Sequence, residues 1–279
     1  MQIAKTVKEL TAISAAHKHS DIGFVPTMGA LHQGHLSLIK AAKNKSDFVI
    51  VSLFVNPLQF NNPEDLEKYP RNLQQDIEVV QDAGCDLLFA PSVEDIYPPG
   101  LQNITLDISH IDSKLEGKMR QGHFNGVVQV LHRLFSLIKP KAAFFGLKDF
   151  QQCLVVRELI NTYFPTIALF LEPTVREPSG LAMSSRNLRL SQVGKNKAAR
   201  IYRTLSFCKT LFPSRTPQAI ETEGKALFNE HGIQVEYLAI AAMDDLDTPT
   251  HWEKNKKYII LAAVYIEGVR LIDNLILNS

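Results

Sequence analysis

Several things that would narrow the chemistry at once are scarce in this chain. Only three of its 279 residues are cysteine, and Cys85, Cys153 and Cys208 are odd in number, widely spaced and outside any CxxC pair. That argues against a disulfide framework or a structural zinc site and suits a reducing compartment. An excess of one charge is missing too: 30 Lys and Arg stand against 29 Asp and Glu, a formal net charge of +1. No bulk field draws the protein to nucleic acid or an acidic membrane, so any anion it binds is held locally. Long apolar runs are absent as well. The first residues carry Lys5, Lys8, Glu9 and Lys18 instead of a leader's apolar stretch, and "YIILAAVYI" (258–266) is too short to span a bilayer. The expectation is a cytoplasmic protein without repeats or low-complexity tracts, long enough for two modest domains or one α/β domain with an appendage.

What the chain does have is alternation. Short apolar runs rich in β-branched and aromatic residues lie at 22–26, 48–55, 86–91, 141–146 and 166–173. Helical spacing occupies 34–44, 71–83, 123–138 and 151–163, clearest where Phe124, Val127, Val128, Leu131, Leu134, Phe135 and Ile138 recur every three or four residues. Continuous apolar strands separated by helices predict a Rossmann-like parallel sheet covered on both faces, with ligands at the carboxyl ends of the strands. The loops after residues 26, 55 and 146 are therefore the candidate sites. Beyond about 174 the texture changes to "REPSGLAMSSRN", a helical stretch at 191–211, and strands at 233–242 and 258–277 turning around Gly268. This predicts an α/β domain over 1–174 and a smaller α+β domain over 175–279.

The loop after the first strong strand, "PTMGALHQGHLSLI", carries Gly29 and Gly34 at P-loop spacing, but His35 and Leu36 stand where Lys and Ser/Thr would be. The nicotinamide fingerprint GxGxxG is absent. Glycine permits close approach of phosphate to the main chain, and the helix start after Gly34 offers N–H groups and a positive dipole end. His32 and His35, three apart, fall on one side of a first helical turn, each able to donate a hydrogen bond to phosphate. The rival readings are a surface accident and a metal pair, and for the latter no third ligand lies nearby in the sequence.

"PTMGALHQGH" resembles the HxGH signature of the nucleotidyl-transferring α/β phosphodiesterase superfamily, which includes class I aminoacyl-tRNA synthetases. With "VSLFVNPLQF", "FFGLKDFQQ" and "PTVREPSGLAMSSRN" in the same order, the chain is similar over nearly its whole length to the pantoate–β-alanine ligase family. The resemblance implies ATP contacts from Met28, Gly29, Ala30, Leu31, His32, Gln33, Gly34 and His35. It adds Gly146, Leu147, Lys148, Asp149, Val175, Met183, Ser184, Ser185 and Arg186. The catalytic set it implies is His35, His32, Lys148 and Arg186. Gln59 is expected at pantoate and β-alanine, Gln152 at pantoate, and Asn56 in the same substrate site. It further implies magnesium held mainly by the ATP phosphates, with no protein metal site, a homodimer, and a smaller domain that closes over the nucleotide.

The residue chemistry runs the same way. Lys148 is a compact cation just past a strand end, and Ser184, Ser185 and Arg186 offer hydroxyls and a guanidinium fork to phosphates. Gln59 and Gln152 can position a carboxylate without a quenching ion pair. Plainer readings stay open at this point: a solvated lysine at 148, helix-capping serines at 184 and 185, loop residues beside Pro57, and packing at Leu181 and Met183. The sequence departs from the family in Leu147, where glutamate is common, and in Pro178 and Ser179, where the loop is usually acidic. A simpler nucleotidyltransferase is the rival enzyme, but "NPLQF" and "FQQ" offer amides where it would need cations. A non-catalytic ATP-binding regulator is the rival of another class.

Overall fold

The computed structural model describes residues 1–278. The chain divides into two compact units, one of residues 1–147 and 151–173, the other of 148–150 and 174–279.

The first unit is built on six parallel strands: β1 (Gln2–Ala4), β2 (Ile22–Thr27), β3 (Phe48–Leu53), β4 (Leu87–Phe89), β5 (Ala142–Gly146) and β6 (Ala168–Glu172). Their order across the sheet is β1-β4-β3-β2-β5-β6, every neighbour pair parallel. Both faces of the central strands β2, β3, β4 and β5 are covered, which is why they are largely apolar, while the edge strands β1 and β6 are partly exposed. Val25, Val49, Val51 and Leu88 share a core with Leu38, Ile39 and Ala42 of the helix Gln33–Lys43. From the next position in the strand, Phe24 meets Phe135 of the helix His123–Ile138 edge-on at 6.1 Å. The expected α/β architecture is the one observed. The run at 48–55 overshoots, because β3 ends at Leu53 and residues 54 and 55 already belong to the loop. Among the elements without a counterpart in the expectations are β1, only three residues long, the helix Val7–Ala16, which buries only Leu10, and the short helices Pro63–Glu67, Val93–Ile96, Ser109–Asp112 and Leu115–Met119.

The strand order carries the functional consequence. From β2 the chain builds outward through β3 and β4 to one side, then returns to place β5 and β6 on the other. Reversals of this kind create a crevice at the carboxyl ends of the two central strands. Here the parting can be seen in the register. β2 pairs with β5 only at Gly23↔Ala142 and Phe24↔Ala143, whereas it pairs with β3 as far as Thr27↔Leu53. Pro26 sits in the unpaired stretch, where its lack of an N–H removes a donor that β5 would otherwise have to satisfy.

The second unit packs the helices Gln192–Thr210 and Pro217–Glu230 on an antiparallel sheet of β7 (Gln234–Ala242), β8 (Tyr258–Ile266) and β9 (Val269–Ile276). Ile201, Leu205, Ile220 and Phe228 form its core with alternate residues of β8. Ser191 and Thr216 cap the two helices by accepting from the N–H groups of Gly194 and Ala219. The helix Pro217–Glu230 is a further element beyond the expectations.

Candidate active site

β2 delivers the chain into the turn of residues 28–35. Gly29 and Ala30 both take left-handed backbone, φ 84° and 51°, and the successive N–H groups of Ala30 and Leu31 turn toward one side. Those groups do not stand open for phosphate. Ala30 N donates to Asp76 Oδ2 at 2.9 Å and Leu31 N to Asp76 Oδ1 at 2.8 Å. Asp76, 4% exposed, reaches in from the helix Leu73–Asp82. The backbone cradle expected from the P-loop-like glycine spacing is therefore filled by the protein's own carboxylate.

The helix start is likewise spoken for, and His32 does not sit within the first turn as expected. It is the N-cap, in extended backbone at φ −142°, and its Nδ1 accepts from Gly34 N at 3.1 Å. His35 answers with Nδ1 accepting from His32 N at 3.3 Å, a reciprocal capping box made by two imidazoles. Their rings lie 4.1 Å apart, tilted by 37°. A neutral imidazole that accepts at Nδ1 carries its proton at Nε2, a tautomer assigned here from the hydrogen-bond network. The pair is thus set up as two Nε2–H donors. The N–H groups of Ala30, Leu31, His32 and Gly34 are thus engaged within the protein.

After β3 the chain makes the short 3-10 turn Pro57–Gln59. Asn56, 1% exposed, caps it, and its amide is filled within the protein. Oδ1 accepts from Leu58 N at 3.2 Å and from the Tyr97 hydroxyl at 2.9 Å; Nδ2 donates to Gly126 O at 3.0 Å and to Gln59 Oε1 at 3.1 Å. Burial pushes the Tyr97 hydroxyl well above the usual phenol range, which keeps it a donor. Asn56, expected in the substrate site, makes four bonds within the protein that brace the turn. Gln59 is buried but keeps capacity. Its Oε1 receives only Asn56 in this network, and its Nε2 donates to the soft sulfur of Met28 at 3.0 Å. That contact joins the turn after β3 to the turn after β2.

Four residues of this network escape the sequence reading: Tyr97, Arg120, His123 and Gly126. The ring of His123 hydrogen-bonds through Nδ1 to Gln59 O at 2.7 Å and through Nε2 to Arg120 Nη1 at 3.0 Å. A carbonyl partner makes Nδ1 the donor, so Nε2 accepts from the guanidinium. Gly126 lets the helix His123–Ile138 press against the 3-10 turn, since a Cβ there would overlap the Leu58 carbonyl and stand 2.7 Å from Gln59 N. A glycine inside an otherwise strong helical pattern is the available signal for this close approach.

Gly146 closes β5, and Leu147–Asp149 form a 3-10 turn before the helix Phe150–Tyr163. The Lys148 ammonium lies 3.6 Å from Asp149 Oδ1, and Lys148 O accepts from Asn274 Nδ2 at 2.9 Å. Gln151 and Gln152 divide their labour. Gln151 is buried and fully used, accepting from Glu116 N and donating to Ile111 O and Lys114 O, whereas Gln152 is only half-buried.

In the second unit Val175 and Met183 face each other across a small hairpin, with Met183 N donating to Val175 O at 3.0 Å. Its tip is a tight turn closed by Gly180 N on Glu177 O, with Pro178 in the second position, where its fixed φ is favourable. The departure from an acidic loop is therefore compatible with a regular turn. Arg176 pins the hairpin by a two-pronged bond to Asp273 at 2.6 and 2.9 Å and by stacking 4.0 Å over Tyr202. Ser184 does cap, accepting from Arg186 N to start the 3-10 helix Ser185–Arg189; Ser185 is buried and Arg186 half-buried.

A doubly wound parallel sheet, a pair of donor imidazoles at the turn leaving its central strand and a neutral amide beside them define a nucleotide-dependent α/β enzyme rather than a bare ATP-binding scaffold. The family model for pantoate-beta-alanine ligase matches residues 2–276. The chain is 47% identical to a pantothenate synthetase of Cytophaga hutchinsonii, over 93% of each chain. It superposes with a TM-score of 0.93 on the crystal structure of pantothenate synthetase from Thermus thermophilus, at 40% identity over all of both chains. A pantoate-beta-alanine ligase from Francisella tularensis, solved with beta-gamma ATP and beta-alanine, matches at 38% identity and a TM-score of 0.81 over 100% of this chain and 98% of that one. The chain belongs to the pantoate-β-alanine ligase family.

Proposed function

We propose that this protein joins pantoate to β-alanine at the expense of ATP, giving pantothenate, AMP and pyrophosphate. A carboxylate oxygen of pantoate attacks the α-phosphorus of ATP, the bond from that phosphorus to the bridging oxygen breaks, and pyrophosphate leaves. The amine of β-alanine then attacks the activated carbonyl, AMP departs with the bonding pair, and the amine loses a proton. A carboxylate by itself is a poor acylating agent; attachment of AMP turns its oxygen into a leaving group. No cysteine or serine here sits in a nucleophile motif that would carry an acyl-enzyme instead.

The observation that carries this reading is the paired capping of His32 and His35, which supports two Nε2–H donors for charge growing on the departing pyrophosphate. Lys148, Ser184, Ser185 and Arg186 have the chemistry to complement the β- and γ-phosphates. Gln59, with unspent amide capacity, and half-buried Gln152 suit the carboxylate and hydroxyls of pantoate. Magnesium enters as the metal–ATP complex, bound through phosphate oxygens, and among the described residues no three His, Cys, Asp or Glu side chains converge to hold an ion. The enzyme works as a homodimer in the cytoplasm; among the described residues no helix is long and apolar enough to cross a membrane.

The decisive experiment is exchange of labelled pyrophosphate into ATP in the presence of pantoate and magnesium but no β-alanine. Exchange is expected, and His35→Ala, still folded, should lower it by about 10²–10³, the usual cost of removing one transition-state donor. A strict requirement for β-alanine, or release of ADP and phosphate in place of AMP, would overturn the adenylate route.

A further inference from the structure

The turn between β2 and the helix Gln33–Lys43 has an unusual anion inside it. Two successive left-handed residues, Gly29 and Ala30, arrange neighbouring N–H groups into a concave nest of the kind that commonly holds a phosphate oxygen. Here the nest holds Asp76, one carboxylate oxygen on Ala30 N and the other on Leu31 N. The fit is close, since a Cβ at Gly29 would meet Asp76 Oδ2 at 2.9 Å. Ala30 has no side-chain reason to adopt positive φ, a strained conformation for an alanine, so something must hold it there. Two charge-assisted bonds from a buried carboxylate do so.

The consequence reaches the histidines. His32 follows Leu31 directly, and its extended backbone is what lets each imidazole accept from the other's end of the helix start. If the 30–31 peptide units turned away, the entry angle at His32 would change and the reciprocal Nδ1 bonds would lose their geometry. We infer that Asp76 is a positioning residue: it occupies the nest that phosphate fills in a glycine-rich loop and thereby fixes both imidazoles as Nε2–H donors. The turn keeps the backbone shape of a phosphate loop while its anion is internal.

Two measurements test this, and only the second rests on the proposed ligase reaction. The first is nitrogen-15 NMR of the imidazoles in the ligand-free protein. Wild type should show His32 and His35 in the Nε2–H tautomer with Nδ1 accepting; Asp76→Ala should show both tautomers averaging, and Asp76→Asn, which offers one acceptor oxygen and a repelling NH₂, should show partial loss. The second is pyrophosphate exchange. Asp76→Ala should lose roughly 10–100-fold in kcat, the scale of a misplacement near 1 Å, with the KM for ATP moving far less. Asp76→Asn should fall between it and wild type, and serves alone should the alanine variant not fold. The inference is overturned by an Nδ1–H tautomer at either histidine in wild type. It is overturned equally by a folded variant with wild-type tautomers and exchange within twofold of normal. Failure of exchange in wild type itself would strike the ligase reading and leave the NMR test standing.

Discussion

Replacing Gly126 by alanine adds one methyl group where a helix and a turn touch backbone to backbone. The new Cβ would overlap the Leu58 carbonyl and lie 2.7 Å from Gln59 N, and ordinary contact begins near 3.4 Å, so the Pro57–Gln59 turn must retreat by 0.7 Å to clear Gln59 N (3.4 − 2.7) and farther to clear the carbonyl. Two bonds are strained by that movement: Asn56 Nδ2 to Gly126 O, and the His123 ring to Gln59 O. Each is worth about 0.5–1.5 kcal/mol. The overpacking itself costs about 1–3 kcal/mol, offset by about 1 kcal/mol of better helix propensity. The variant should be less stable by about 1–5 kcal/mol, against the propensity expectation that Gly→Ala stabilises a helix. Because Gln59 travels with the turn, kcat/KM for pantoate should fall roughly tenfold or more, while the KM for ATP moves much less. Urea denaturation and steady-state kinetics with each substrate varied in turn would measure both. A variant of wild-type or greater stability whose pantoate KM stays within twofold would refute the idea that this contact sets the turn.

The adjacent glutamines should separate cleanly. Gln151→Ala, which strands three backbone groups, is expected to destabilise by about 1–3 kcal/mol or more in urea. Gln152→Ala should change stability by less than about 0.5 kcal/mol yet raise the pantoate KM, and the reverse order would sink the assignment. Burial pushes the thiols of Cys85 and Cys208 from the ordinary 9.0 up to about 12. At pH 8 only about one such thiol in ten thousand is thiolate, so native protein should resist iodoacetamide at both positions and the unfolded chain should not. The folded state keeps protons that the unfolded chain releases near pH 9, so stability should hold below that and fall as pH rises toward 12. Rapid native labelling, or a urea midpoint unchanged between pH 8 and pH 10.5, would contradict the buried-thiol picture.

Much of this protein is written in local pattern. Continuous apolar runs at 22–26, 48–55, 86–91 and 141–146 specify strands buried on both faces, since only such strands can dispense with a polar side, whereas the run at 166–173 becomes the partly exposed edge strand β6. The helical spacing of 123–138 is strong enough to set both ends of its element. The same holds for the HxGH turn: two glycines and two histidines between a strand and a helix mark a place where backbone shape and donor groups matter together. Resemblance across four segments supplies the reaction class. Where local pattern is weak, elements go unseen: three residues of β1 give no period, and Val7–Ala16 has a single buried side chain.

Residues far apart in sequence decided the rest. That β2 lies beside β5, and that the two part after Phe24, is a matter of strand order, which no apolar run encodes. Pro26 is its only local trace. Asp76 stands 46 residues from Ala30, in a helix whose sequence reads as amphipathic and solvated, and nothing near it announces a carboxylate aimed at another turn. His123, Tyr97 and Gly126 likewise acquire meaning only because a helix and two loops converge on the Pro57–Gln59 turn. Local sequence fixes dihedrals and burial period, because those depend on neighbours along the chain. Hydrogen-bond partners of buried polar groups depend on which segments collapse together, and only the closed fold makes that choice.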